Sequence, residues 1–378
     1  MRLTGPALIE LVGPERRERW FKVALATFLA YLTLFNLYQV WVAFPHKLIE
    51  SDFRIWYAAA EIGPRWGWTH LYDIDIQRLA VQSVWPGSRY LLFANPPPAA
   101  WVILPFTLAP FGVALALWTV LSVALLVAIS QAYAGSGRWS KAVFAMSAVG
   151  FLPTFVMVEA APLSPVVIGA AGACALLLKR GREIPAGLVL SLIIVKPNIA
   201  VLVPVAILAA GHLRAFVAWL AATVLMGLIS LITIGTHGLL SFIAVNISLY
   251  REAYHLNYSL DDLLGSTLLY VIAAAIIIAL ALIAAYANRK IAPGVCVAAG
   301  ISGSLLINHH LTPADFTLLL IPVWILIAMS PAPHMRVIVF ALWAAGWASS
   351  IGFAWPVAAM ETAVLLALVI PRGRVAAA

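Results

Sequence analysis

Asp52 follows directly on an apolar run long enough to cross a membrane, in the stretch IESDFRIWYAAA at 49–60. A carboxylate at that point has two possible uses. With Ser51 beside it, it can cap the helix that begins there by accepting backbone N–H bonds. Set against a low-dielectric surface, it also has raised basicity and can take a proton from an attacking group. Glu50 and Asp52 form an E-x-D pair that could hold a divalent ion; this is the minor reading, and otherwise no metal or cofactor is expected. Lys196 stands deep in an apolar stretch, where charge is costly enough that it should face a cavity or a partner unless it snorkels to a surface. Arg54, two residues from Asp52, can hold an anionic headgroup. His309 and His310 stand before Thr312-Pro313-Ala314-Asp315, a T-x-x-D capping box, and one imidazole can bond an anion or a hydroxyl. Arg251, His255, Asp261 and Asp262 read as a solvated face.

The elements that must position these groups follow from composition. The 378-residue chain is 63% hydrophobic and 10% charged, with a mean hydropathy of +1.00. A soluble fold cannot bury that much apolar surface. The expected fold is therefore all-α and polytopic, a single membrane domain over 1–378 with about 10–12 spans of about 20 residues each. The net charge of +8 is spread over short turns rather than gathered in a patch. Anchoring in the bilayer explains it, and nucleic acid is not an expected partner. Cys174 and Cys296 lie inside apolar runs and read as core. The basic N-terminal region leads into a span with no small-residue cleavage pattern after it, so no cleavable signal is expected.

Lys and Arg then set the orientation. Arg16, Arg17, Arg19 and Lys22 precede a first span at 21–44, and basic turns recur at Arg138/Lys141, Lys179/Arg180/Arg182, Arg214, Arg289/Lys290, Arg336 and Arg372/Arg374. Those turns and both termini are expected in the cytoplasm of a cell whose inner membrane holds the chain. The opposite face receives 45–95, 159–164, 237–264 and 308–311. Between 96 and 134 the pattern reads as two helices broken around 105–112, although an odd number of crossings is needed there. The segment 184–211 has basic turns at both ends and is too short for two full spans. It reads as a broken, re-entrant pair turning at Lys196-Pro197-Asn198.

The loop 45–95 is far longer than a connection requires. Phe53, Trp56, Tyr57 and Ala60 recur at helical spacing, the stripe of a helix lying on the bilayer interface. A second such helix is expected over 74–84. The prolines after Asn95 should hold the chain extended as it re-enters the membrane.

The order of motifs carries a resemblance. Asp52-Phe53-Arg54-Ile55-Trp56-Tyr57 after the first span, Leu71-Tyr72-Asp73, Asn95-Pro96-Pro97, Val195-Lys196-Pro197-Asn198 and Asn257-Tyr258-Ser259-Leu260 together resemble the bacterial polyprenyl-phosphate-mannose-dependent mannosyltransferases, of the C-type superfamily of membrane glycosyltransferases. The resemblance runs through nearly the whole chain. It departs at Tyr258, where the family has Gln, and at Glu159-Ala160-Ala161-Pro162-Leu163-Ser164, near which the family has Gly-Gln. The resemblance implies transfer of a hexose, mannose first, from a polyprenyl monophosphate to a lipid, glycan or protein hydroxyl on the outer face, with inversion. It further implies Asp52 as general base. Lys196, Arg54, His309 and His310 would surround the donor phosphate, and Tyr57, Asn95, Asn257 and Ser259 would hold the sugar or acceptor.

No phosphate-cradling Gly-rich loop, zinc-spaced Cys/His set, nucleophile elbow or internal repeat is present. The rival class is a transporter or lipid flippase, because breaks at Lys196-Pro197 and at Pro162/Pro165 would suit a midplane binding site.

Overall fold

The computed structural model describes residues 14–87, 91–251, 258–329, 333–349, 351–353 and 355–369. Among them the chain is all-α and polytopic, with no strand. This is the outcome that lipid dictates, since a helix satisfies its own backbone groups where no water can.

The helices are α1 (Pro14–Glu50), α2 (Phe53–Trp66), α3 (Ile74–Val84), α4 (Pro97–Ile103), α5 (Phe111–Tyr133), α6 (Arg138–Val149), α7 (Leu152–Ala160), α8 (Ser164–Lys179) and α9 (Glu183–Leu190). They continue with α10 (Leu202–Ala209), α11 (Leu213–Arg251), α12 (Leu260–Leu264), α13 (Thr267–Asn288), α14 (Val295–Leu306), α15 (Leu320–Ala328), α16 (Pro333–Ser349) and α17 (Trp355–Val369). Short 3-10 turns join several of them.

The apolar runs are not all full-length rods. Among the described residues, four helical stretches are each long and apolar enough to span, at Arg19–Val42, Phe111–Tyr133, Leu213–Leu249 and Thr267–Asn288. The helices α6 and α7 are apolar enough to span only when taken together, and they are bent by 56° at their break, as in a broken span or a re-entrant loop. Seven shorter apolar helical stretches of 10–17 residues accompany them among the described residues. The count of about 10–12 full spans expected from hydropathy is therefore not met by unbroken helices among the described residues, because an apolar window runs on through Pro and Gly where a helix does not.

Two of these breaks bear on the site. Between α6 and α7 the freed carbonyls of Val149 and Phe151 accept hydrogen bonds from the Asn36 amide at 2.9 and 3.3 Å, so a buried Asn of α1 stabilises the bend. The segment 183–209 breaks where the sequence places it: α9 runs into a 3-10 turn at Ser191–Val195, Lys196 is non-helical, and a second turn at Pro197–Ile199 leads to α10. This pair sits tightly against its neighbours. A Cβ on Gly187 would lie 2.0 Å from the Ala215 carbonyl oxygen of α11, so only glycine allows that approach.

Between Asn95 and the Arg138 turn, α4 and its following 3-10 turn at Leu104–Leu108 are too short to cross. The 23-residue α5 alone is long and apolar enough to cross there, which accords with the odd number that the charge pattern calls for.

The first loop holds two amphipathic helices, and α3 occupies the expected 74–84. What the aromatic stripe of α2 covers is protein. Phe53 is fully buried, its ring 5.9 Å from Trp118 and 6.0 Å from Phe111, and Trp56 meets Phe93 at 5.8 Å. The Phe111 end of α5 and the loop end at Phe93 fold over a face that would otherwise seek lipid.

Candidate active site

Four polar segments, far apart in sequence, meet at one end of the bundle. The Asp52 amide donates to the Ala160 carbonyl at 2.9 Å, which ties the mouth of α2 to the end of α7. The chain then turns through Ala161, held in the left-handed region at φ 45°, and starts α8 at Ser164. Ser164 donates to Asp315 Oδ1 at 2.7 Å, and Lys196 Nζ reaches the same oxygen at 2.5 Å and Ser164 Oγ at 3.4 Å. The other carboxylate oxygen, Oδ2, accepts from the Thr312 amide at 3.2 Å and its hydroxyl at 3.1 Å, so the T-x-x-D capping box is formed. Asp315 is fully buried, and both its oxygens are engaged. The partner that a charge at the depth of Lys196 requires is therefore Asp315.

Asp52 stands within the field of Lys196, Arg54 and Asp315. Burial raises its pKa; the cations Lys196 and Arg54 pull it back in part, and Asp315 adds to the rise. Neither Asp52 nor Ser51 caps α2. The Asp52 backbone is helical, its side chain makes no capping bond, and the Ser51 hydroxyl is buried without a hydrogen-bond partner. The capping use is thereby corrected: Asp52 already has αR backbone angles, which turn its side chain away from the free N–H groups. Its carboxylate remains available for chemistry.

The remaining expected residues sort by position. Arg54 is buried on α2 beside Asp52. The Asn95 amide donates to the Val195 carbonyl at 3.0 Å and so fixes the turn that presents Lys196. The Tyr57 hydroxyl donates to the Ala109 carbonyl at 2.9 Å. Ser259 caps α12, accepting from the Asp262 amide at 3.1 Å. The two histidines part company. His310 lies in the field of Lys196, Asp315 and Asp262, and desolvation followed by Lys196 lowers its pKa. His309 turns to Asp261 at 3.3 Å and packs on Tyr270, ring centroids 4.4 Å apart. Asn257, His255 and the side chains of Glu50 and Arg251 lie outside the described residues, as does any ion pair made by them. Tyr258 packs its ring on Phe316, beside Asp315, at 6.4 Å.

Sequence reasoning missed Asp315 and Ser164 as members of the cluster. The only local signal was the capping box, which explains Asp315 as a helix start and so hides its second use. A cap leaves one carboxylate oxygen spare, and here that oxygen receives Lys196 and Ser164.

Fold and site together define a polytopic membrane protein with a buried carboxylate–cation cluster gathered from four helix ends. The model of glycosyltransferase family 87 matches residues 93–311, more than half of the chain. The chain belongs to this family and is a glycosyltransferase, which sets aside the transporter reading. The matched segment contains Asn95, Ser164, Lys196, His309 and His310; Asp315 follows its end closely, while Asp52 and Arg54 lie in the first loop, well before its start. No curated protein and no solved structure matches the chain.

Proposed function

We propose that this glycosyltransferase takes a hexose, mannose first, from a polyprenyl monophosphate and passes it to a lipid, glycan or protein hydroxyl, with Asp52 as the general base. The observation that carries the reading is the Asp52 carboxylate itself, proton-seeking through burial, unused as a cap, and facing Lys196 and Arg54. A lipid-linked donor fits a site at the membrane end of helices, where the prenyl chain can stay in the bilayer while its phosphate meets cations. The Lys/Arg pattern supports placing this end on the extracytoplasmic face.

In the reaction, the acceptor oxygen attacks the anomeric carbon from the side opposite the phosphate. Asp52 takes the hydroxyl proton as the new C–O bond forms. The bond from the anomeric carbon to the phosphate oxygen breaks, and its electron pair leaves with the polyprenyl phosphate. The configuration inverts. Lys196, Arg54 and His310 stabilise the charge arriving on the leaving phosphate. Asp315 and Ser164 hold Lys196 in place. The base must be ionised, so the acid limb of the rate profile is expected above the ordinary carboxylate range, in keeping with the raised pKa of Asp52.

The test is incubation of the purified protein with short-chain polyprenyl-phosphate mannose, following release of free polyprenyl phosphate. Asp52→Asn is expected to bind the donor and to lose about 10²- to 10⁴-fold in rate, the usual cost of a positioned general base. Asp52→Glu should retain part of the activity. Transfer by Asp52→Asn near the parent rate overturns the assignment of the base. Inertness of the parent protein toward every polyprenyl-phosphate sugar, with activity on another donor class, overturns the donor.

A further inference from the structure

A second polar cluster lies outside this site. His70 Nδ1 is 2.6 Å from Asp73 Oδ2, and His237 Nε2 is 2.8 Å from Asp73 Oδ1. The three donor atoms all lie within 4.8 Å of one another. His70 ends the 3-10 turn Trp68–His70 and Asp73 precedes α3, while His237 comes from α11.

Backbone features bring these groups together. Gly235 breaks α11 with φ 63° and ψ −172°, a conformation essentially closed to residues with a Cβ. Gly238 then lets the helix run against the turn: a Cβ there would lie 3.1 Å from the Thr69 carbonyl oxygen. The two imidazoles end up with ring centroids 5.8 Å apart, on either side of one carboxylate.

We propose that His70, Asp73 and His237 form a zinc-binding site that clips the first loop to α11, with a water molecule as the fourth ligand. Two imidazole nitrogens and one carboxylate oxygen are a zinc donor set, and three protein ligands leave one position for solvent. Zinc–ligand bonds of about 2.0–2.1 Å place neighbouring donors in a tetrahedral site roughly 3.4 Å apart. The distances found here, 2.6 and 2.8 Å for the bonded pairs and at most 4.8 Å overall, bracket that value, so small side-chain rotations suffice. The side chains of His70 and His237 are 45% and 61% exposed, which leaves an entry path for the ion. A cavity of about 360 Å³ lined by Tyr72, Asp73, Asp75 and Ser241 opens beside the carboxylate and can supply the water. Ser241 Oγ, 3.4 Å from Asp73 Oδ1, is placed to orient it. Metal binding replaces the two His–Asp hydrogen bonds: each ring turns its lone pair to the ion and keeps its proton on the other nitrogen, so acid competes with zinc. The clip is distinct from the E-x-D pair at Glu50 and Asp52.

The test uses the full-length protein carrying no oligohistidine tag, stripped with a chelator and dialysed against zinc chloride. The parent is expected to retain one equivalent of zinc and to melt at a higher temperature with zinc than without it, by the mass action of a ligand bound only to the folded state. His70→Gln and His237→Gln should each lose the zinc and its thermal shift. Cobalt(II) in the parent should give the intense visible bands of a four-coordinate ion, a readout that stands even if a variant fails to fold. A parent that retains no zinc, variants that retain as much as the parent, or a six-coordinate cobalt spectrum would each overturn the site.

Discussion

Asp52 and Asp73 open the two helices of the same loop, and each sits among basic side chains, yet their protons are held oppositely. Burial is the largest influence on both and raises both. At Asp73, hydrogen bonds from His70 and His237 outweigh it, and the pKa falls below the ordinary value. Among the described residues no hydrogen bond to the Asp52 carboxylate offsets the burial; Lys196 and Arg54 act through space, and the pKa stays raised. Nearby charge alone therefore does not decide the state of a carboxylate. A donor in direct contact stabilises the anion, whereas cations at a distance leave it basic and ready to accept a proton. The two regions differ in backbone as well. Left-handed positions around Asp73 are glycines, Gly67 at φ 93° and Gly235 at φ 63°, whereas the turn against Asp52 puts Ala161 at φ 45°.

The strongest way to break this contrast is to disturb what keeps Lys196 at a distance from Asp52. Asp315→Asn leaves the lysine charge without its buried partner and is expected to cost about 3–5 kcal/mol of stability, with transfer abolished. Adding Lys196→Met should recover much of the stability in thermal melts and none of the transfer. Recovery of transfer by the double variant would mean that Lys196 only balances Asp315 and has no part at the phosphate.

A smaller effect sharpens the comparison through pH. A carboxyl whose folded pKa is raised stabilises the fold below its unfolded pKa, and that stabilisation is lost as pH rises through the folded value. Asp52→Asn should therefore melt at or above the parent temperature at neutral pH, the difference shrinking toward pH about 4. The depressed pKa of Asp73 has the opposite sign: its stabilisation is present above the unfolded pKa and is lost as pH falls through the folded one. In metal-free protein, Asp73→Asn should thus be destabilised at neutral pH, by about 1 kcal/mol or less because the pairs are half exposed, and should converge on the parent in acid. Parallel pH trends for the two variants would remove the distinction between contact and distance.

The smallest expected effect concerns the turn. Replacing Ala161 by Gly relieves a left-handed alanine, which costs about 1–2 kcal/mol, against the greater freedom of glycine in the unfolded chain. A net gain of up to about 1 kcal/mol is expected, read as a small rise in melting temperature. A loss would show that the alanine methyl makes a contact that the turn depends on.

Sequence alone determined the features whose causes are local. The apolar runs required helices in lipid. The stripe at 53–60 and the pattern at 74–84 marked the two loop helices, Pro197 beside a lone Lys196 marked the broken pair, and Thr312 with Asp315 marked a helix start. Each depends on spacing within one segment, which periodicity and capping chemistry read directly. Tertiary structure decided which of these segments meet. Asp315 became the partner of Lys196, Ser164 joined them, Phe111 and Trp118 took the place of lipid against Phe53, and His237 crossed 164 residues of chain to reach Asp73. None of these pairings has a local period. They follow from helix breaks at Gly150, Lys196 and Gly235 and from glycine contacts such as Gly187 and Gly238, where packing distance rather than sequence pattern selects the neighbour.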